Sequence, residues 1–106
     1  DADAYYQRAW FRINISRKRR NLSKPLEDLN MAISINPNHS RAYTLRSFVN
    51  FTLKGRRESC MDKIEAYKIA VEDRDFYLTS RVSENKRKQS EALQRESLEK
   101  HCKNYL

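Results

Sequence analysis

The sequence predicts an all-α protein, an α-solenoid of antiparallel helical hairpins with a long C-terminal capping helix. Three observations predict it. One Gly and two Pro among 106 residues, with apolar residues in short scattered runs, argue for helices over a turn-rich sheet. A shift of 38 positions lays the chain on itself, Tyr5 on Tyr43 and Arg8 on Arg46. In the last third, Glu84 and Lys88, Glu91 and Arg95, Glu96 and Lys100, and Glu99 and Lys103 stand four apart with the acid first, the favourable helical orientation.

The first unit is expected over residues 1–38. Tyr5, Ala9 and Ile13, with Trp10 beside them, recur every three to four residues and form one helical stripe. Leu26, Leu29, Ala32 and Ile33 form a second. Ser23 is expected to cap that helix, with Pro25 tolerated in its first turn and Glu27 and Asp28 facing the positive end of its dipole. Asn36-Pro37 stops it, because a residue before Pro is pushed out of helical geometry.

A second unit, 39–74, repeats the pattern, with Ser40 as the expected cap. Trp10 falls on Phe48, Phe11 on Val49 and Ile13 on Phe51. At the same shift Leu26 falls on Ile64, Leu29 on Tyr67, Ala32 on Ala70 and Ile33 on Val71. Ala9, Ser47, Ala32 and Ala70 are the small residues at which helix axes approach closely. Gly55 follows the first helix of this unit, where a left-handed residue is wanted. The segment 75–106 leaves the pattern. It is expected to be a capping helix continued by an exposed extension, on which Ala92, Leu93, Leu98, Cys102 and Tyr105 form a thin apolar seam.

Tyr5-x2-Arg8-Ala9 and Tyr43-x2-Arg46-Ser47, with Leu29-x2-Ala32-x4-Pro37 and Tyr67-x2-Ala70, resemble the tetratricopeptide (TPR) repeat family over roughly residues 3 to 74. The match departs from the family in several places. The unit is longer than the family's repeat of about 34 residues. Arg12 and Asn50 stand where an aromatic is usual, Pro25 stands where an Ala is usual, and Glu72-Asp73 replaces the closing Pro of unit two. The resemblance implies a protein–protein interaction scaffold whose first helices line a concave groove. On that reading Tyr6, Trp10, Ile13, Asn14, Phe48 and Phe51 are the candidate partner-binding residues. The clamp by which some family members hold a chaperone's C-terminal carboxylate has no counterpart here.

Charge points to a second candidate surface. The formal net charge is +8, which attracts anionic partners. Arg17, Lys18, Arg19 and Arg20 form the densest basic run, and Lys54, Arg56 and Arg57 hold the corresponding place in unit two. Together they are expected to make a basic ridge for an acidic or helical protein partner. The alternative is RNA or another polyanion bound through the ridge and tail. His39 and His101 have no acid or nucleophile at helical spacing, and no glycine-rich phosphate loop is present, so neither catalysis, a cofactor nor a metal site is expected.

Cys60 and Cys102 lack the spacing of a disulfide framework and are expected to be reduced thiols, which suits a cytoplasmic protein with nuclear or cytoskeletal association. The N-x-Ser/Thr triplets at Asn14, Asn21, Asn38 and Asn50 are accordingly read as chance. No apolar stretch is long enough to span a membrane. The opening at Asp1, without Met, suggests a piece of a larger chain or assembly.

Overall fold

The computed structural model describes residues 1–15 and 21–106. They form six helices and one 3₁₀ turn, with no strand among them: α1 (Ala2–Ile15), α2 (Ser23–Ile35), α3 (Ser40–Leu53), α4 (Arg56–Val71), α5 (Phe76–Arg81), α6 (Glu84–His101) and the turn Lys103–Tyr105. Arg17, Lys18, Arg19 and Arg20 lie outside the described residues. Helix α1 packs on α2, α2 on α3, α3 on α4, and α4 on α6. The radius of gyration, 13.6 Å, is close to the roughly 13 Å of a compact chain of this length.

Two apolar clusters hold the helices. Ala2, Ala9, Leu29, Ala32, Ala42 and Val49 form the larger, across α1, α2 and α3, with Tyr5, Tyr6, Ile13 and Leu26 packed at its edge. Cys60, Leu98 and Cys102 form the smaller, between α4 and α6, against Ile64 and Tyr67. Cys60 and Cys102 are joined in a disulfide. The expectation of reduced thiols is thereby corrected: 42 residues of sequence hide a proximity that only the return of α6 onto α4 creates.

A buried carboxylate recurs between paired helices. Arg8 Nε and Nη2 donate to Asp28 at 3.2 and 2.7 Å, and Arg12 adds a bond of 3.0 Å to its other oxygen. In the second pair, Arg46 donates to both oxygens of Asp62 at 3.0 and 2.8 Å, and Asn50 Nδ2 adds 2.9 Å. Arg12 and Asn50, which depart from the family pattern, thus have an intramolecular partner each. The bond to Asp28 raises the pKa of Arg8.

This recurrence corrects the alignment of the two units. The arginines are 38 positions apart and the aspartates 34. The partner of Ala32 in the packing is therefore Ala66, 2% exposed, whereas Ala70 is only half-buried and Val71 exposed. A slip of four residues turns a helix by about 40° beyond one full turn, so an apolar stripe almost coincides with itself. The second pair has a short connection: Lys54 and Gly55 alone join α3 to α4.

The caps also differ from expectation. Asn21 accepts from the Ser23 N–H at 3.1 Å, and Ser23 is the first helical residue of α2. His39 caps α3, its Nδ1 accepting from the Ala42 N–H at 3.1 Å. Nε2 therefore carries the proton and donates to Asp3 at 2.8 Å, so His39 has an acid partner after all, supplied from α1. Ser40 gives its N–H and hydroxyl to Asp75 at 3.0 and 2.7 Å. The other oxygen of Asp75 caps α5, accepting from Tyr77 and Leu78. The expected single C-terminal helix is broken at Val82 and Ser83, where Ser83 starts α6 by accepting from the Lys86 N–H.

Gly55 adopts φ +106° and ψ −173°, a region reserved for glycine, and its N–H reaches back to the Asn50 carbonyl at 2.8 Å. Open space surrounds the position of a Cβ there, so the requirement is one of backbone conformation alone. Gly55→Ala is expected to lower stability by about 1–3 kcal/mol, read as a shift of the urea midpoint. Asp62→Asn is expected to cost about 2–3 kcal/mol, since Arg46, 22% exposed, loses its countercharge. Asp28→Asn should cost less, because Arg8, 53% exposed, can be hydrated instead.

Candidate binding groove

The stripe that buries Ala9 leaves Tyr6, Trp10 and Ile13 on the neighbouring face of α1, turned towards α3. On α3, burial of Ala42, Ser47 and Val49 turns Arg41, Thr44, Phe48 and Phe51 outward at spacings of three and four. Helices α1 and α3 touch only lightly. A groove of about 580 Å³ opens between them, lined by Tyr6, Trp10, Ile13 and Asn14 on one side and by Arg41, Thr44 and Phe48 on the other. Ser90 and Gln94 of α6 form its far wall.

A second groove of about 560 Å³ adjoins it, sharing Thr44 and Phe48 and extending past Phe51 to Arg56, Lys63 and His101. Of the six groove residues expected from sequence, five line the first groove and Phe51 lines the second together with Phe48. Tyr6 and Ile13 are half-buried against the core. Trp10, Phe48 and Phe51 are 49%, 59% and 54% exposed, too open to serve as core filler.

The polar residues have narrower roles than expected. Asn14 donates an amide N–H to the Trp10 carbonyl at 2.7 Å. Thr44 donates its hydroxyl to the Ser40 carbonyl at 3.1 Å. Burial raises the pKa of the Tyr6 phenol, opposed by the nearby Arg41 guanidinium, so the hydroxyl stays protonated at neutral pH. Arg41 lies over the Tyr77 ring at 3.9 Å and the Tyr6 ring at 5.1 Å, and pairs with Asp3 at 3.2 Å. Both grooves are walled by aromatic, hydroxyl and cationic side chains, and no carboxylate lines either one.

Of the expected basic ridge, Lys54, Arg56 and Arg57 are exposed at the α3–α4 connection. The other half, Arg17–Arg20, is outside the described residues. Sequence reasoning missed Arg41, Tyr77, Lys63 and the α6 residues. A signal for Tyr77 existed: it stands 34 positions after Tyr43, the shift that the aspartates obey. No signal of comparable kind marks Ser90, Gln94 or His101, whose positions depend on how α6 returns.

Among the described residues, no helix is long and apolar enough to cross a membrane. No cluster of three or more His, Cys, Asp and Glu side chains is placed to hold a metal ion among them either. Compared with family models, curated proteins and solved structures, the chain matches none.

Leu29 is fully buried whereas Phe48 is not, and stability should report the difference. Leu29→Ala is expected to cost about 2–5 kcal/mol. Phe48→Ala should change the unfolding free energy by under about 1 kcal/mol, leaving it usable as a binding probe.

Proposed function

We propose that this chain is a protein–protein interaction module built of two tetratricopeptide-like antiparallel hairpins, α1–α2 and α3–α4. The groove between α1 and α3 receives an amphipathic helix or peptide of a partner that carries carboxylates beside its apolar residues. One observation supports the reading above the others: three large aromatics stand half-exposed on adjacent first helices in grooves that contain cations and no acid. Aromatic anchors of this kind supply most of the binding energy in peptide-recognition grooves, and charge complementarity selects among partners. The hairpin arrangement is supported by the packing of sequence neighbours and by the repeated arginine–aspartate bond. A cytoplasmic location loses its ground with the Cys60–Cys102 bond.

A displayed library of random peptides of about 16 residues, selected on the oxidised chain, tests this directly. Selected peptides should combine aromatic or aliphatic anchors at helical spacing with Asp or Glu. Calorimetric titration of one such peptide should show at least a tenfold loss of affinity in Trp10→Ala and in Phe48→Ala, about 1.4 kcal/mol or more each. Lys100→Ala, on the far part of α6, should bind as the parent does. Indifference to Trp10→Ala, together with binding of single-stranded RNA that weakens steeply between about 50 and 200 mM salt, would replace the reading with polyanion binding through the basic connections.

A further inference from the structure

We propose that the Cys60–Cys102 disulfide is a redox latch: it holds α6 on α4, and its reduction releases α6 and dismantles the far wall of the grooves. The binding arm of this inference rests on the groove reading above. Its structural arm does not.

Helix α6 rests chiefly on α4, mostly through half-buried polar side chains. Of its 18 residues only Leu98 is buried, resting with Cys102 on Ile64 and Tyr67. Leu93 is 68% exposed and Ala92 is exposed as well. Beneath the helix a gap of about 120 Å³ separates Gln94, Ser97 and Leu98 from Thr44, Lys63 and Ala66, so the two surfaces do not close on each other. At the near end Arg87 pairs with Asp73, but the Asp73 side chain is 60% exposed and Arg87 Nε is buried without a partner. Glu84–Lys88 at 3.3 Å is internal to α6 and ties it to nothing else. An ion pair open to solvent on its Asp73 side, one leucine and the half-buried Glu91, Gln94 and Ser97 hold a polar helix weakly against its gain in freedom. The covalent bond at its far end adds the firm tie.

Cys60 and Cys102 are 2% and 0% exposed, so reduction waits on local opening of the α4–α6 seam. Cys60 and His101 line the second groove, the side from which a small dithiol then meets the bond. One thiolate of the dithiol attacks a sulfur of the pair and displaces the other sulfur as thiolate. The second thiol of the reagent then closes on the mixed disulfide. Two electrons pass to the protein, Cys60 and Cys102 each end with one proton, and the reagent leaves as a cyclic disulfide.

Release has a defined geometric effect. Ser90 and Gln94 leave the first groove and His101 leaves the second. What remains is the open face of α1 and α3. The larger cluster, Ala2 to Val49, contains no α6 residue, so α1, α2 and α3 keep their packing.

Hydrogen–deuterium exchange on the intact chain, before and after dithiothreitol and iodoacetamide capping, tests the latch without any partner. Residues 84–101 should exchange at least tenfold faster after reduction, while α1, α2 and α3 keep their protection. Acrylamide quenching of Trp10, the only tryptophan, should rise at least twofold as the groove opens. Cys102→Ser, which needs no chemical treatment, should reproduce both changes. A 16-residue peptide selected on the oxidised chain should bind the reduced chain at least tenfold more weakly. Unchanged α6 exchange after reduction would overturn the latch, as would loss of protection in every helix at once, which would make the bond a staple of the whole fold. If α6 is released and the peptide still binds within twofold, control of the groove is overturned. If no peptide is selected at all, the groove reading fails, and exchange and Trp10 quenching still decide the latch.

Discussion

The structure depends most on a carboxylate buried between paired helices and held by an arginine from the opposite one. Asp28 and Asp62 are 3% and 5% exposed, and each accepts from an arginine and one further side chain. Such a bond contributes little net stability compared with an apolar pair of the same volume, because two charges have left water. Its effect is on register. Were α4 to slide one turn along α3, the apolar stripe would still meet apolar residues, but Asp62 would be buried without a cation. That alternative is raised by several kcal/mol, and the helices are held in one alignment.

Register in turn places the groove. With Asp28 fixed by Arg8 and Arg12, the faces of α1 that carry Tyr6, Trp10 and Ile13 are fixed too. The joint between the first two helices and the next two is tied from both sides, by Asp3 to His39 and by Asp75 to Ser40. The first ties α1 to the start of α3, and the second ties that same start to the segment after α4. The opening between the two helices is therefore built into the joint, which explains why large aromatics remain there without collapsing onto one another.

The helical class and the faces of the first helices were legible in the sequence, because apolar periodicity is a strong signal and Trp10, Phe48 and Tyr6 stand on clean stripes. The alignment of the second helices was not legible. Leu26, Ala32 and Ile33 have apolar counterparts at either of two shifts one turn apart, and the buried aspartates separate them. Caps were read one residue too late in both units: Ser23 and Ser40 are good cap residues, but Leu22 precedes α2 without a side-chain cap and His39 caps α3. The cysteine pair was invisible for another reason. Nothing local encodes that a charged helix with one buried leucine turns back along α4, so neither the bond nor the α6 wall of the groove follows from spacing.

The two-residue link between α3 and α4 has a consequence for how the chain assembles. Closing a short link loses less chain entropy than closing a longer one, and contacts near in sequence form early. With Lys54 and Gly55 as its whole link, the α3–α4 pair is the natural nucleus, and the α1–α2 pair condenses onto it afterwards. Of these four helices α1 and α2 come earlier in the chain, so on this order they wait for the later pair to give them a surface.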